Sequence, residues 1–266
     1  MGELRAYAAL AAAQARSVFS YRTSFLFELL SNVGATVFDV LTVLVLFRAT
    51  DEIGGFVLPE ALLMTGIMSA GFSLADLLVG NVDQLKTYVR AGTLDAVLVR
   101  PLAALPQLLL MDLPLRKLLR VVFGCGVLTV AVGMNEIHWT PARVALLALA
   151  PLACAVFMGA IFVISATLAF WWVDSGQLGS AFTYGGRDFA SYPITVYGPI
   201  FRALFAYVVG LAFIAYQPAL ALLGHPDPLG LPAWAGFASP LVALAAAGAA
   251  TVVWRAGIRH YRSTGS

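Results

Sequence analysis

Three polar side chains interrupt the first long apolar run of the chain. Glu28, Asn32 and Asp39 stand at spacings i, i+4 and i+11, which places them within about 40° of one another around a helix. A carboxylate that faces lipid is costly, so this helix face must contact protein or water. Two interpretations follow: the acids pair or snorkel and fix helix packing, or they line a path for a cationic amphipathic substrate.

Later apolar runs carry further residues of the same kind. Asp76 is near the end of the second run, and Arg202 lies in the fifth, shortly after Tyr192 and Tyr197. The same two interpretations apply, packing pairs or a substrate path. The candidate path residues are Glu28, Asn32, Asp39, Asp76, Tyr192, Tyr197 and Arg202.

Residues 81–101 are polar although long apolar runs flank them on both sides. On a helix Asp83, Lys86 and Arg90 share one face, while Leu85 and Val89 point the other way. Gly92 is a typical C-terminal cap, Thr93 is suited to cap a second short helix, and Pro101 closes that helix. Such an amphipathic segment either lies flat on a bilayer or presses into a partner protein.

The motifs of soluble enzymes are absent from this sequence. It contains no GxxxxGK[ST] phosphate loop and no HExxH, and its three histidines, His138, His225 and His260, are far apart. The two cysteines, Cys125 and Cys154, sit in apolar runs and provide neither a disulfide framework nor a metal site. We therefore expect no enzyme and no metal or cofactor site within the chain itself.

The composition is that of an integral membrane protein. Of 266 residues, 61% are hydrophobic and 11% are charged, against about 45–50% and about 25% in soluble domains. An Ala-rich amphipathic helix over residues 3–22 is suited to the membrane interface. Six spans follow, at about residues 24–47, 58–80, 115–133, 144–173, 193–216 and 235–254.

Two other segments do not read as spans. Residues 174–192 form a polar interlude, and the proline-rich residues 217–234 are too short in apolar content to cross. The latter fit a half-buried or re-entrant segment before the last span. The whole chain is then one transmembrane domain over residues 1–266.

Basic residues set the orientation of these spans. With both termini in the cytoplasm, fourteen of the 16 lysines and arginines lie on the inner side, and only Arg48 and Arg143 remain outside. Residues 81–101 are then cytoplasmic as well. A net charge of +2 gives no reason to expect nucleic acid as a partner.

The order of these elements resembles the permeases of type-2 ABC exporters. Gly92-Thr93-Leu94-Asp95 with Leu98-Val99-Arg100-Pro101-Leu102 is similar to the G-x-L-D-x-x-L-x-R-P-L signature of one branch, which includes exporters of viologens and other drugs. A second signature is similar to Ser191-Tyr192-Pro193-Ile194 with Tyr197, Ala212-Phe213, Tyr216-Gln217-Pro218-Ala219 and Leu222-Leu223-Gly224. Gly210-Leu211 stands where that branch has a proline before the Ala-Phe pair.

The resemblance implies an all-α integral membrane protein with six transmembrane helices, an N-terminal interfacial helix, a cytoplasmic coupling helix and an outer re-entrant segment. It also implies a bacterial plasma membrane location and outward transport. Two copies of a separate ATPase would bind ATP and Mg, and a second permease chain, either a related partner or a copy of this one, would complete the pathway. The implied ATPase-coupling residues are Asp83, Lys86, Tyr88, Arg90, Gly92, Asp95, Arg100 and Pro101.

Other classes of protein remain as alternatives. Residues 81–101 alone could simply anchor a loop on the membrane surface. The chain as a whole could be a non-transporting six-span scaffold or a substrate-capturing subunit. A capturing subunit would place polar ligands toward the outer face, whereas the polar groups here favour the inner half, so the exporter interpretation is preferred.

Overall fold

The computed structural model describes residues 22–111, 117–172 and 176–261. In the first helix it describes side chains only for residues 30, 31, 34, 37, 38 and 40–49. The interfacial helix expected over residues 3–22 therefore lies outside the described residues, apart from Arg22.

The described residues form helices joined by turns, in agreement with the all-α prediction. In chain order the α-helices are α1 Arg22–Ala49, α2 Leu58–Leu78, α3 Leu85–Arg90, α4 Thr93–Leu98, α5 Ala104–Met111, α6 Leu118–Met134, α7 Pro141–Thr167, α8 Gly176–Ser191, α9 Pro199–Arg202, α10 Tyr216–Leu223 and α11 Ser239–His260. Single turns of 3-10 helix cover Gly80–Gln84, Leu168–Phe170, Ile194–Val196, Leu211–Phe213 and Ala233–Phe237, and a π-helix continues α9 over Ala203–Val208.

Helix α2 is the centre of the bundle. Most of its residues are buried, and it packs against α6 on one side and α7 on the other. The contact with α6 is close because glycines meet it: a Cβ on Gly66 would stand 2.7 Å from the Cα of Leu128, and one on Gly124 2.9 Å from the Ala70 nitrogen. Small residues that let two backbones approach are the usual means of packing helices in membranes.

Local capping signals fix where the long helices begin. At the start of helix α2 the Val57 amide donates to Glu60 Oε2 at 3.1 Å, which is one half of a capping box. Helix α7 starts at Thr140, whose Oγ1 accepts from the Arg143 amide at 3.3 Å, and Pro141 follows at the first helical position.

Three helices among the described residues are long and apolar enough to cross a membrane. They are α2, α7 together with its final 3-10 turn, and α11. Helix α1 has 28 residues and α6 has 17, and both pack alongside α2. These findings agree with a multi-pass membrane protein, while the count of six spans stays a prediction.

The two ends of the bundle are named here by a residue at each. At the Lys117 end, Lys117 pairs with Asp76 in the last turn of α2. At the Gly54 end, the loop before α2 accepts a hydrogen bond from Thr195 Oγ1 to the Gly54 carbonyl at 2.7 Å. Helix α2 runs from the Gly54 end to the Lys117 end.

Residues 176–191 form a helix where the sequence predicted a polar interlude. Helix α8 packs against α2 and α7. It starts at the Lys117 end, where Gly179 contacts Ser165. At its other end the Ser191 carbonyl accepts a hydrogen bond from Thr65 Oγ1 at 3.2 Å. Sixteen residues span about 24 Å at 1.5 Å per residue, so α8 covers most of the bundle's length.

The stretch predicted as the fifth span, residues 193–216, is not one continuous helix. The chain is bent by 66° between segment Pro199–Val208 and segment Leu211–Leu223. Gly210 at the bend has φ +98° and lies against Phe157, inside α7. Both outer ends of the pair are at the Gly54 end, since Thr195 bonds Gly54 and His225 Nδ1 lies 3.5 Å from Glu60 Oε1.

This arrangement is a hairpin that enters the bundle and returns to the same end. We call residues 199–223 the re-entrant hairpin. The sequence predicted a re-entrant segment before the last span, over residues 217–234. In the structure this segment lies closer to the N-terminus, over residues 199–223. The left-handed backbone at Gly210 is the physical reason, because it turns the chain where a helix would otherwise continue.

Candidate functional site

Residues 81–101 adopt the two short helices that their spacing predicts. Helix α3 buries Leu85 and Val89, and α4 buries Leu94 and Val97. Gly92 stands between the helices with φ +67°, a left-handed conformation that glycine adopts without strain. We call residues 80–101 the connecting stretch.

Thr93 closes α3 instead of capping α4. Its Oγ1 donates to the Tyr88 carbonyl at 3.2 Å, whereas the N-cap position of α4 belongs to Gly92. The prediction had the threonine as the cap of the second helix. The hydroxyl reaches back because the left-handed turn at Gly92 brings the end of α3 within its range.

Two buried amides pin the connecting stretch to α5. Asn81 Nδ2 donates to the Leu108 carbonyl at 2.6 Å and its Oδ1 accepts from the Tyr88 hydroxyl at 3.4 Å. Gln107 Nε2 donates to the carbonyls of Val97 at 3.3 Å and Leu102 at 3.0 Å. Because buried amides are costly to leave unpaired, these bonds make the stretch stiff. No local sequence pattern marks either amide, because Asn81 and Gln107 bond carbonyls 27 and 10 positions away along the chain.

The exposed side of the connecting stretch differs from the predicted side. Gln84, Thr87 and Arg90 are exposed, and so are Arg100 and Pro101 at its end. Asp83 and Lys86, expected on the same outer face as Arg90, instead line a polar cavity of about 210 Å³ with Ser165, Ser180 and Tyr184. They point toward α7 and α8 and not away from the bundle.

Two tyrosines tie the connecting stretch to other parts of the bundle. The Tyr184 hydroxyl on α8 donates to Asp83 Oδ2 at 3.5 Å, and the Tyr261 hydroxyl after α11 donates to Asp95 Oδ1 at 3.0 Å. Burial, and to a smaller degree the nearby Asp76 carboxylate, raise the pKa of Asp83 to about 6. The pKa of the Tyr261 hydroxyl is also raised, by burial and by its bond to Asp95.

A group of buried charges lies directly beside the first of these ties. Asp76 is 3% exposed and pairs with Lys117 Nζ at 2.7 Å and with Arg120 Nη1 at 3.3 Å. The pairs join α2 to the start of α6. Pairs of this kind are what the packing interpretation of the intramembrane acids describes.

Two guanidinium groups lie close to the ring of Phe72. The Cζ of Arg120 is 5.5 Å from the ring centroid, and the Cζ of Arg187 on α8 is 5.1 Å from it. The Tyr184 ring meets the same ring edge-on at 5.8 Å. Cation–π contacts of this kind are stronger when the groups are desolvated, as they are around this buried ring.

A second polar cavity lies between α1, α2 and α8. Its volume is about 380 Å³. Its polar lining comes from Thr42, Thr65, Arg187, Asp188, Ser191 and Tyr192, and Phe38 and Val43 complete it. We call it the α8 cavity. Hydroxyls from three helices together with two charged groups give it the means to bind a polar part of a small molecule.

A comparison with protein families now identifies the chain. A family model described as "ABC-2 family transporter protein" matches residues 33–265. The chain belongs to the ABC-2 transporter family. Curated proteins gave no match.

Membership gives this ABC-2 protein its general role. Such permeases are membrane transport components, they are not catalytic enzymes on their own, and they generally work with an ABC ATPase. The predicted resemblance to ABC-2 permeases is thus confirmed at the level of the family. No group of three or more acidic, histidine or cysteine side chains in the described part of the ABC-2 chain could hold a metal ion.

The predicted substrate-path residues of the ABC-2 protein are only partly brought together. Tyr192 lines the α8 cavity, Asp76 sits in the ion-pair group, and Tyr197 stacks on Phe189 with centroids 4.3 Å apart. Arg202 ends α9 on the re-entrant hairpin. The remaining three, Glu28, Asn32 and Asp39, belong to α1, and their side chains lie outside the described part.

Sequence reasoning missed the residues of α8 that form one wall of the cavity. Arg187 and Asp188 were assigned to a polar interlude, and Thr42 and Thr65 were read as parts of apolar spans. One signal was present: Gln177, Ser180, Tyr184 and Asp188 recur at helical spacing and are all exposed. A polar helix face of this kind predicts a helix that does not face lipid.

Proposed function

We propose that this ABC-2 permease is the membrane subunit of an ATP-driven exporter in the bacterial plasma membrane. Two copies of a separate ATPase, with their ATP and Mg, bind at the Lys117 end, which faces the cytoplasm together with both termini. A second permease chain, a related partner or a second copy, completes the assembly. The family match supports the transport role, and the basic residues support the orientation.

One observation carries the proposal: the connecting stretch lies at the Lys117 end between α2 and α5, is hydrogen-bonded to α5, and leaves polar side chains exposed. The bonds from Asn81 and Gln107 hold it to α5, and Gly92 sets the corner between its helices. Gln84, Thr87 and Arg90 remain exposed. A stiff element of this kind passes on a displacement applied to its surface, whereas a flexible loop would absorb it.

In the proposed mechanism, closure of the ATPase dimer moves the connecting stretch. Helices α1, α2 and α8 then shift relative to one another and open the α8 cavity toward the outer side. The ATP chemistry belongs to the partner. This chain supplies the surface on which the ATPase pushes and the cavity that changes shape.

The polar face of α8 is the best candidate for one wall of the substrate path. Gln177, Ser180, Tyr184 and Asp188 lie along one side of the helix and are exposed in this chain. Polar groups at membrane depth face water or protein, so this face suits a path shared with the second permease. We propose a small amphipathic compound with a cationic group facing Asp188, as in the viologen and multidrug branch that the sequence resembles.

The decisive experiment is affinity purification of the chain from native membranes, with mass spectrometry of the proteins that accompany it. Recovery of an ABC ATPase together with a second six-span chain is the expected result. An ATPase without another permease would indicate a homodimer. Absence of any ATPase under gentle detergent would contradict the proposal and favour a scaffold.

A pair of matched variants places the contact on the connecting stretch. Arg90→Glu should lower recovery of the ATPase at least tenfold, because a charge reversal at an interface readily costs about 1.4 kcal/mol or more. Arg48→Glu reverses an exposed charge at the Gly54 end and should leave recovery unchanged. Equal recovery with both variants would contradict the assigned interface.

A further inference from the structure

One series of side-chain contacts runs from the connecting stretch to the α8 cavity. Asp83 accepts the hydrogen bond of Tyr184, the Tyr184 ring packs edge-on against Phe72, and Phe72 lies under the guanidinium of Arg187. Arg187 lines the cavity. Each member touches the next, and the series crosses from a turn at the Lys117 end into the middle of the bundle.

Helix geometry joins two members of this series rigidly. Tyr184 and Arg187 are three residues apart on α8, so they lie on the same face of the helix. Both contact the single ring of Phe72 from that face. A rigid-body movement of α8 therefore carries Tyr184 and Arg187 together.

The rings at the inner end of this series are closely packed, whereas Tyr184 itself is 39% exposed and borders the polar cavity beside Asp83. Phe72 is 1% exposed and packs on Phe162 with centroids 5.6 Å apart, while the Tyr184 ring is 6.2 Å from Phe162. Close-packed interiors transmit displacement because they compress little. A displacement of the connecting stretch at Asp83 then either moves Tyr184 or breaks the hydrogen bond from its hydroxyl.

We propose that Tyr184 is the positioning residue that transmits movement of the connecting stretch, through Phe72 and Arg187, to the α8 cavity. This inference rests on the proposed function, since the movement comes from the ATPase. The Asp83–Tyr184 distance of 3.5 Å is at the long limit of a hydrogen bond, so a small displacement shortens or opens it.

The second tyrosine tie leads elsewhere and provides the matched comparison. Tyr261 bonds Asp95, but its ring packs on Phe170 with centroids 5.8 Å apart, and Phe170 packs on Trp254 of α11. These contacts remain at the Lys117 end. Loss of the Tyr261 hydroxyl should therefore loosen the connecting stretch without cutting its route to the cavity.

The test uses the permease purified with its ATPase and reconstituted into liposomes. Thr42→Cys places a thiol in the cavity wall on α1, opposite α8, and Cys125→Ala removes the exposed native thiol, while Cys154 is buried. The rate of maleimide labelling is measured without nucleotide and with ATP plus vanadate. The ratio of the two rates reports the ATP-dependent change in the cavity.

Tyr184→Phe should lower this ratio about fivefold while ATP hydrolysis continues, since one hydrogen bond of about 1 kcal/mol carries the coupling. Asp83→Ala, which removes the acceptor, should lower it in the same direction, and this second variant covers the case in which one of them folds poorly. Tyr261→Phe should keep most of the ATP-dependent ratio of labelling rates. A purely structural role for Tyr184 would change labelling equally with and without ATP, and that result overturns the inference.

The failure of the inference can be told apart from the failure of the proposed function. If the parent protein recruits an ATPase and shows an ATP-dependent ratio that Tyr184→Phe preserves, the inference is wrong and the exporter assignment stands. If the parent protein recruits no ATPase, both are wrong.

Discussion

The connecting stretch is held at two points by the same pair of residue types in different surroundings. At Asp83 the partner tyrosine belongs to α8, beside the buried charges of Asp76 and Arg120. At Asp95 the partner is Tyr261, and the neighbours are aromatic rings at the end of α11. The first tie connects to a polar cavity, and the second connects to the hydrophobic framework.

The difference indicates which of the two ties is better suited to open and close. The Asp95 bond is 3.0 Å long, whereas the Asp83 bond is 3.5 Å and involves an acid whose pKa is raised to about 6. A short bond among packed rings favours one position. A bond at the long limit, to an acid that is costly to ionise, holds its partner less firmly.

The largest expected effect comes from removing the acid that supports the first tie. Asp76→Ala leaves Lys117 and Arg120 partly buried without their carboxylate, and breaking such a group costs about 3–5 kcal/mol. Asp95→Ala loses one hydrogen bond at the second tie and should cost about 1–2 kcal/mol. Thermal unfolding of the purified protein in detergent measures both.

A loop acid completes this series. Asp51→Ala changes an exposed position at the Gly54 end and should stay within about 0.5 kcal/mol of the parent. If Asp76→Ala were as stable as Asp51→Ala, the ion pairs would not be what joins α2 to α6. The surroundings of the two ties would then contribute equally to stability.

A smaller effect is expected from the pH dependence of the first tie. The folded-state pKa of Asp83 is about 6 and its ordinary value is 3.8, so between these values the native protein binds more protons than the unfolded chain. Its contribution to stability is therefore present below about pH 4 and is lost as the pH rises toward 6, by on the order of 1–3 kcal/mol.

Two asparagine variants show which group causes the loss of stability with rising pH. Asp83→Asn should flatten the fall in melting temperature between about pH 4 and 6, because the titrating group is gone. Asp95→Asn keeps Asp83 and should retain the fall. A slope that survives Asp83→Asn unchanged would assign the titration to another group.

Much of the fold could be predicted because its signals are local. Hydropathy was enough for α2, α7 and α11, where long apolar runs coincide with the helices. The spacing of Leu85 and Val89 and the glycine at 92 predicted the two short helices of the connecting stretch, since a few consecutive residues contain that information. The family resemblance used these same residues.

The remaining features depend on contacts that no local pattern contains. The Asp83–Tyr184 bond joins residues 101 positions apart, and the Asp95–Tyr261 bond joins residues 166 apart. Hydropathy did not predict helix α8 because one of its faces is polar. It did not distinguish the re-entrant hairpin from a span because both arms of the hairpin are apolar. Only packing decides whether two apolar arms cross a membrane or turn back at Gly210.

A glycine substitution tests whether the corner between the two ties matters. Gly92→Ala puts a Cβ on a left-handed residue, at a cost of about 1–2 kcal/mol, and it alters the angle between α3 and α4. Gly55→Ala places the same strain, at φ +85°, in a loop at the Gly54 end where no atom lies within 4 Å of the new Cβ. Melting temperatures should fall by similar amounts, but only Gly92→Ala should reduce ATPase recovery. If both variants bound the ATPase normally, the orientation of the two ties would not matter for coupling, and a flexible attachment would serve equally well.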